Sequence, residues 1–218
     1  RCRSRSSTTT RTSTSSSSGL AGRRPSTSTA PTLLGRRSVL AHAVHCTDRE
    51  LARLADTGTS ISHCPTSQQF LGSGTMPWRR TTTSGVTVAL GSDVGAGDEW
   101  LMARVANDCF KVHISEPGAA GLSIPPAQLL FTATLAGARA LDIEDRVGNL
   151  DAGKQADFLV IDPQRQPLLP ELLERVAPVN SEDSDRLLFT LLLGMREAAI
   201  AGVYVQGRRL TAESADHP

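Results

Sequence analysis

The sequence predicts an α/β fold built on a parallel sheet, with a small all-β element after it and a structureless tail before it. Three observations carry that reading. Between residues 38 and 145, apolar runs of strand length alternate with segments of helical periodicity, the pattern of a parallel α/β sheet or barrel. One run, Val86, Val88, Ala89 and Leu90, is nearly continuous and bounded by Gly85 and Gly91, as in a strand covered on both faces. Residues 1–37 are mostly Ser, Thr and Arg, with no acid and almost no large apolar side chain. Such a segment cannot offset the entropy of ordering and is expected to be disordered.

In chain order, residues 38–41 form a short strand leading to His42. A helix follows, with Thr47 or Asp48 as its cap, Leu51, Leu54 and Ala55 on one face, and Gly58 as its stop. "TSISHCP" is a second strand ended by Pro65. A loop then leads to a weakly marked helix over 78–84, and "VTVALGSD" is the third strand. Leu101, Met102, Val105, Ala106, Cys109 and Phe110 recur at helical spacing. Another helix starts near Pro126, a favourable first-turn residue. Beyond it, "VGNLDAGKQADFLVIDP" reads as turn, hairpin and strand, and "AGVYVQGRRL" as a strand with a Gly turn; the helical "RLLFTLLLGMREAAI" separates them. The resulting division is a tail over 1–37, an α/β region over 38–145, and β segments with an intervening helix over 146–218.

Charge and cysteine usage narrow the function classes. The tail holds 8 of the 23 Lys and Arg residues, so the remainder carries 15 basic against 22 acidic residues, a balance of −7. The tail is composed like an organellar transit peptide. As a nucleic-acid arm it lacks interleaved aromatics, so a solvated linker is the better reading and no nucleic-acid partner is expected. Cys2, Cys46, Cys64 and Cys109 form no CxxC pair, which suits a reducing, cytoplasmic setting. No apolar run approaches the ~20 residues of a membrane-spanning helix, so no membrane association is expected.

The stretch "VTVALGSDVGAGDEW" poses the functional question, because a buried strand ends by delivering a carboxylate, Asp93. The carboxyl ends of parallel strands are where such folds keep their chemistry. Taken alone, a strand-end Asp is more often a cap or turn residue, and a lone His before a helix is as often structural as catalytic. His42 and His45, three apart on an extended segment, point to opposite faces, which argues against both ligating one metal.

Three separated motifs, "LAHAVHCTDRELARLADTGTSISHCPTSQQFLGSG", "VALGSDVGAGDEW" and "VGNLDAGKQADFLVIDP", together resemble the C-terminal half of a metal-dependent amidohydrolase of the guanine deaminase family over residues 37–210. The resemblance implies the last strands and helices of a (β/α)8 barrel, a partial TIM-type barrel, with part of a small β-sandwich. It also implies one Zn2+ at the barrel's C-terminal mouth. The implied reaction is hydrolytic deamination of guanine to xanthine and ammonia by a metal-activated water. Asp93 matches the aspartate that binds the metal and takes a proton from the attacking water, and His42 matches the histidine that hydrogen-bonds that water. His63 matches a histidine lining the substrate pocket or backing it. Gly95 and Gly97 are expected to let the loop pass close to a ligand.

The family usually continues the "HCP" motif with Ser-Asn, where this chain has Ser67-Gln68. "VHISE", ending at Glu116, looks like the family's His-x-x-Glu but lies after Asp93, whereas that motif belongs to an earlier strand. The family's other metal histidines and its catalytic glutamate come from strands before His42, and no His precedes His42 here. The expectation is therefore a truncated form of a longer enzyme, inactive and poorly soluble alone. By analogy with the family, a homodimer is the expected assembly. Competing readings are an aminohydrolase acting on a cytosine, adenosine-type or triazine substrate, and a non-catalytic half-barrel binding protein.

Overall fold

The computed structural model describes residues 33–117, 121–177 and 183–210. The tail expected to be disordered lies outside them up to residue 32. Three short strands, β1 (Val39–Ala41), β2 (Ser60–His63) and β3 (Val88–Leu90), pair in parallel in the order β1-β2-β3. Their register aligns Leu40 with Ile61 and Ile61 with Val88. All three carboxyl ends therefore emerge together, and the segments after them, beginning at His42, Cys64 and Gly91, meet at one edge of the sheet.

The connections arise from local chemistry. Helix α1 (Asp48–Thr57) opens with a reciprocal cap: Thr47 Oγ1 accepts from Glu50 N–H at 3.3 Å, and the Glu50 carboxylate accepts from Thr47 N–H at 2.7 Å. It stops at Gly58, whose φ of +72° suits a residue without Cβ. Pro65, expected only to end β2, also opens α2 (Pro65–Leu71). At the first helical position its missing N–H would have been unpaired anyway. Helices α3 (Trp78–Thr83) and α4 (Met102–Ile114) come next. The helix expected from Pro126 is broken in two, α5 (Pro126–Ala133) and α6 (Leu135–Ala140), at Thr134 with φ −131° and ψ −90°. The Thr132 and Thr134 hydroxyls donate to carbonyls of the preceding turn, a competition that bends helices.

The core lies between the sheet and the helices. Ile61, Val88 and Leu90 meet Leu51 and Leu54 of α1, Trp78 of α3, Val105, Ala106 and Cys109 of α4, and Leu129 of α5. Ala89 packs instead on Ala136 and Ala140 of α6. Strand β1 has one neighbour among the described residues, and its Val39 and Leu40 are exposed.

In the C-terminal part, β4 (Phe158–Ile161), β5 (Ile200–Val205) and β6 (Arg208–Leu210) form one antiparallel sheet. Phe158 and Tyr204 stack across it at 4.6 Å. The all-β element is thus present as one small sheet drawn from distant pieces; residues 147–157, expected to hold a hairpin, form turns instead, and the hairpin is β5–β6 around Gln206 and Gly207, both at positive φ. Helices α7 (Leu169–Glu174) and α8 (Ser184–Gly194) lie between β4 and β5 in sequence. Phe189 of α8 contacts Phe110 of α4 edge to face, and Leu192 joins the core. No helix among the described residues is long and apolar enough to cross a membrane.

Candidate active site

Two of the parallel strands end in strained turns, and each turn carries a polar side chain. After β1, His42 and Ala43 have φ of +71° and +54°. Ala43 N–H closes the turn on Ala41 O at 2.9 Å, and His42 N–H donates to Ser62 O at 2.8 Å. After β3, Asp93 has φ +50°, and its carbonyl accepts from Ala96 N–H and Gly97 N–H at 3.0 and 2.8 Å. Left-handed backbone at a residue with a Cβ costs about 1–3 kcal/mol and persists only where its surroundings enforce it. Here the hydrogen bonds do so, and they bring His42 Nε2 to 3.6 Å from Asp93 Oδ2.

Both side chains are part-exposed, at 40% and 31%. At 3.6 Å they share no direct hydrogen bond. Two donors on one tetrahedral zinc, each about 2.0–2.2 Å from it, stand about 3.3–3.6 Å apart. The imidazole and carboxylate therefore fit two positions around such an ion, or around an ion and its water. His42 Nδ1 is buried without a hydrogen-bond partner. The His42 carbonyl is held by Gln68 Nε2 at 3.1 Å, from a side chain only 2% exposed. The residue that departs from the family's pattern is thus the one that fixes the His42 turn.

The glycines serve this edge of the sheet. Gly91 faces Ser62 across the strands, and a Cβ there would lie 3.2 Å from Cys64 Sγ and overlap Ser62 Oγ. Gly97 passes against Ser67 of α2, whose Cα and N lie 3.1 and 3.2 Å from where its Cβ would be. Gly95 has open space around it and contributes its φ of +106°.

His63 closes β2 at the same end of the sheet, with its side chain turned into the core. It is fully buried, with its ring edge-on to Trp78 at 5.8 Å and its Nε2 3.0 Å from His113 Nε2. Burial, with smaller contributions from His113 and His42, lowers its pKa to about 3 and keeps the ring neutral. His45 is exposed. His113 Nδ1 is in turn 2.6 Å from Glu116 Oε1. Burial lowers the His113 pKa against the opposing pull of Glu116. Cys109 completes this buried group: one ligand atom each from His63, Cys109 and His113 lie within 4.8 Å of one another. Among the described residues it is the one group of three such donors. The C-x-x-x-H spacing of Cys109 and His113, one helical turn apart on a buried face, is the sequence signal for this group. A further cleft, lined by Trp78, Val86, Val88, Phe131 and Arg139, lies by the amino end of β3, away from Asp93.

The chain as a whole is similar to proteins of known family. The model of the Amidohydrolase family matches residues 22–210. Guanine deaminase of Escherichia coli (strain K12) is 34% identical over 176 residues, which cover 81% of this chain and 38% of the relative. Its solved structure superimposes with a TM-score of 0.74, covering 84% of this chain and 41% of that one. A probable guanine deaminase of Deinococcus radiodurans is 37% identical over 186 residues, 84% of this chain and 40% of the relative. A 5-methylthioadenosine/S-adenosylhomocysteine deaminase of Moorella thermoacetica is 37% identical over 139 residues, 63% of this chain and 32% of the relative. The chain thus spans about two fifths or less of the length of these curated relatives.

Proposed function

The chain belongs to the amidohydrolase family, and on that premise we propose that it supplies the final strands of a (β/α)8 barrel in a zinc-dependent aminohydrolase that converts guanine and water to xanthine and ammonia. The observation that carries this reading is the approach of His42 Nε2 to 3.6 Å from Asp93 Oδ2 at the carboxyl end of the parallel sheet. Asp93 and, beside it, His42 are the residues that would face the ion. A zinc ion held there would supply a water with a pKa brought to about 7, a nucleophile at neutral pH.

The protein's own part is proton transfer and orientation. The Asp93 carboxylate accepts the proton that the attacking water gives up. The His42 imidazole, held in place by Gln68 through its backbone carbonyl, hydrogen-bonds that water and steadies charge at the attacked carbon. Zinc sites take three or four protein ligands, and of this pair Asp93 is the one assigned as a ligand, His42 being given to the water. The remaining ligands, and the acid that protonates the purine ring, are assigned to residues outside this sequence. His63, buried against Trp78 and His113, is given no contact with the substrate. Guanine is preferred because two guanine deaminases align with 81% and 84% of the chain; two others align with 60% and 5-methylthioadenosine/S-adenosylhomocysteine deaminases with 62–68%, so a 5-methylthioadenosine-type substrate is the second reading.

The test is reconstitution. The full chain is co-expressed with the amino-terminal portion of Escherichia coli guanine deaminase that precedes the matched segment, supplied with zinc, and offered guanine and S-adenosylhomocysteine in parallel. Ammonia release from guanine is expected. Release from S-adenosylhomocysteine in preference to guanine would overturn the substrate assignment.

A further inference from the structure

The mouth of the sheet leaves one chemically unusual feature unused, the buried group of His63, Cys109 and His113. All three side chains are fully buried, in a layer that otherwise holds Ile61, Leu90, Val105 and Trp78. Polar side chains in such a layer are costly unless something binds them. His63 and His113 come from elements 50 residues apart, yet their Nε2 atoms stand 3.0 Å from each other. Cys109 lies one helical turn before His113, so its thiol is presented on the same face of α4.

A second, independent observation concerns Glu116. Its carboxylate is 2.6 Å from His113 Nδ1. With Nδ1–H donating to a carboxylate, the His113 ring has a single tautomer and its Nε2 lone pair is directed at His63 and Cys109. Histidines that bind metal almost always make this outer hydrogen bond. Charge also balances: a divalent cation, the Cys109 thiolate and the Glu116 carboxylate sum to zero, which a dry layer tolerates where a net charge would be expelled. Glu116 is 23% exposed, so the group lies one side chain below the surface.

We propose that His63, Cys109 and His113 form a divalent-metal site of zinc type between β2 and α4, backed by Glu116 and separate from Asp93 and His42. Two imidazoles and one thiolate are the ligand chemistry zinc favours. The ion would bind as the Cys109 thiol gives up its proton, and its binding energy would fasten β2 to α4. The proposal does not depend on the aminohydrolase reading, since neither Asp93 nor His42 belongs to this group.

The probe is cobalt(II), titrated into the chelator-treated full chain, with folding monitored by circular dichroism. A thiolate ligand produces a sulfur-to-cobalt charge-transfer band in the near ultraviolet, which a site of only His and Asp cannot produce. Saturation at one equivalent with that band is expected. The band should survive Asp93→Asn and Cys64→Ser and vanish in Cys109→Ser. Glu116→Gln, which leaves every ligand in place, should weaken cobalt binding about 10–100-fold, and it carries the comparison should Cys109→Ser unfold. A folded chain that binds no cobalt, or binds it without the band, overturns the proposal and leaves a neutral His–His hydrogen bond. A band that persists in folded Cys109→Ser, or unchanged affinity in Glu116→Gln, overturns it too.

Discussion

Gly97 has no room for a methyl group: its Cβ would meet the Ser67 backbone at 3.1 and 3.2 Å, and a backbone cannot rotate away as a side chain can. Its N–H also helps hold the Asp93 carbonyl. Gly97→Ala should therefore push the Asp93 turn off α2 and destabilise the chain by about 1–3 kcal/mol, read as a lower midpoint in thermal or urea unfolding. An unchanged midpoint would mean that the turn yields freely. At this scale the strand-end positions of His42 and Asp93 were legible because each closes an apolar run, a local property, whereas their roles came only from the resemblance to the family. The His63–His113 pair was not legible, because nothing near either residue encodes a contact across 50 positions. The role of Gln68 was hidden for a related reason, since a side chain that grips another segment's backbone leaves no pattern in its own.

Helix α1 shows how much one element's stability rests on its first turn. The hydrogen bonds from Thr47 backbone and side chain hold the Glu50 carboxyl below its ordinary pKa of 4.5. A carboxyl with a depressed folded value contributes stability that is fully present above its unfolded pKa and is lost as pH falls through the folded one. Thr47→Ala should therefore cost about 0.5–2 kcal/mol near pH 7, and the difference from the parent should shrink below about pH 4.5. Urea denaturation at pH 7 and pH 3.5 reads both; a difference that grows in acid would contradict the capping argument. The cap, the apolar face and the Gly58 stop of α1 were all readable, because helix ends are written in adjacent residues. The break at Thr134 was not: helical periodicity continues through it, and the interruption comes from hydroxyls of Thr132 and Thr134 that turn back on the preceding turn. Pro65 likewise reads as a strand breaker, and its second role, opening α2, is set by the burial of Thr66, Ser67 and Gln68 against the rest of the fold.

For the molecule as a whole, the parallel order of β1, β2 and β3 gathers His42 and Asp93 at one edge of the sheet, and the small antiparallel sheet joins β4 to β5 over a long sequence distance. Strand–helix alternation made the first arrangement legible, and two β segments flanking a helical stretch pointed to the second; only the register of β4 on β5 needed the fold. The decisive measurement is ammonia release from guanine by the zinc-supplied, co-expressed assembly carrying Asp93→Asn in this chain, against the parent assembly. A fall of about 10²–10⁴-fold in kcat with the assembly still folded is expected, because the substitution removes a metal ligand and the group that takes the proton. Turnover equal to the parent's would contradict the assignment of Asp93 and, with it, the aminohydrolase centre at this edge of the sheet.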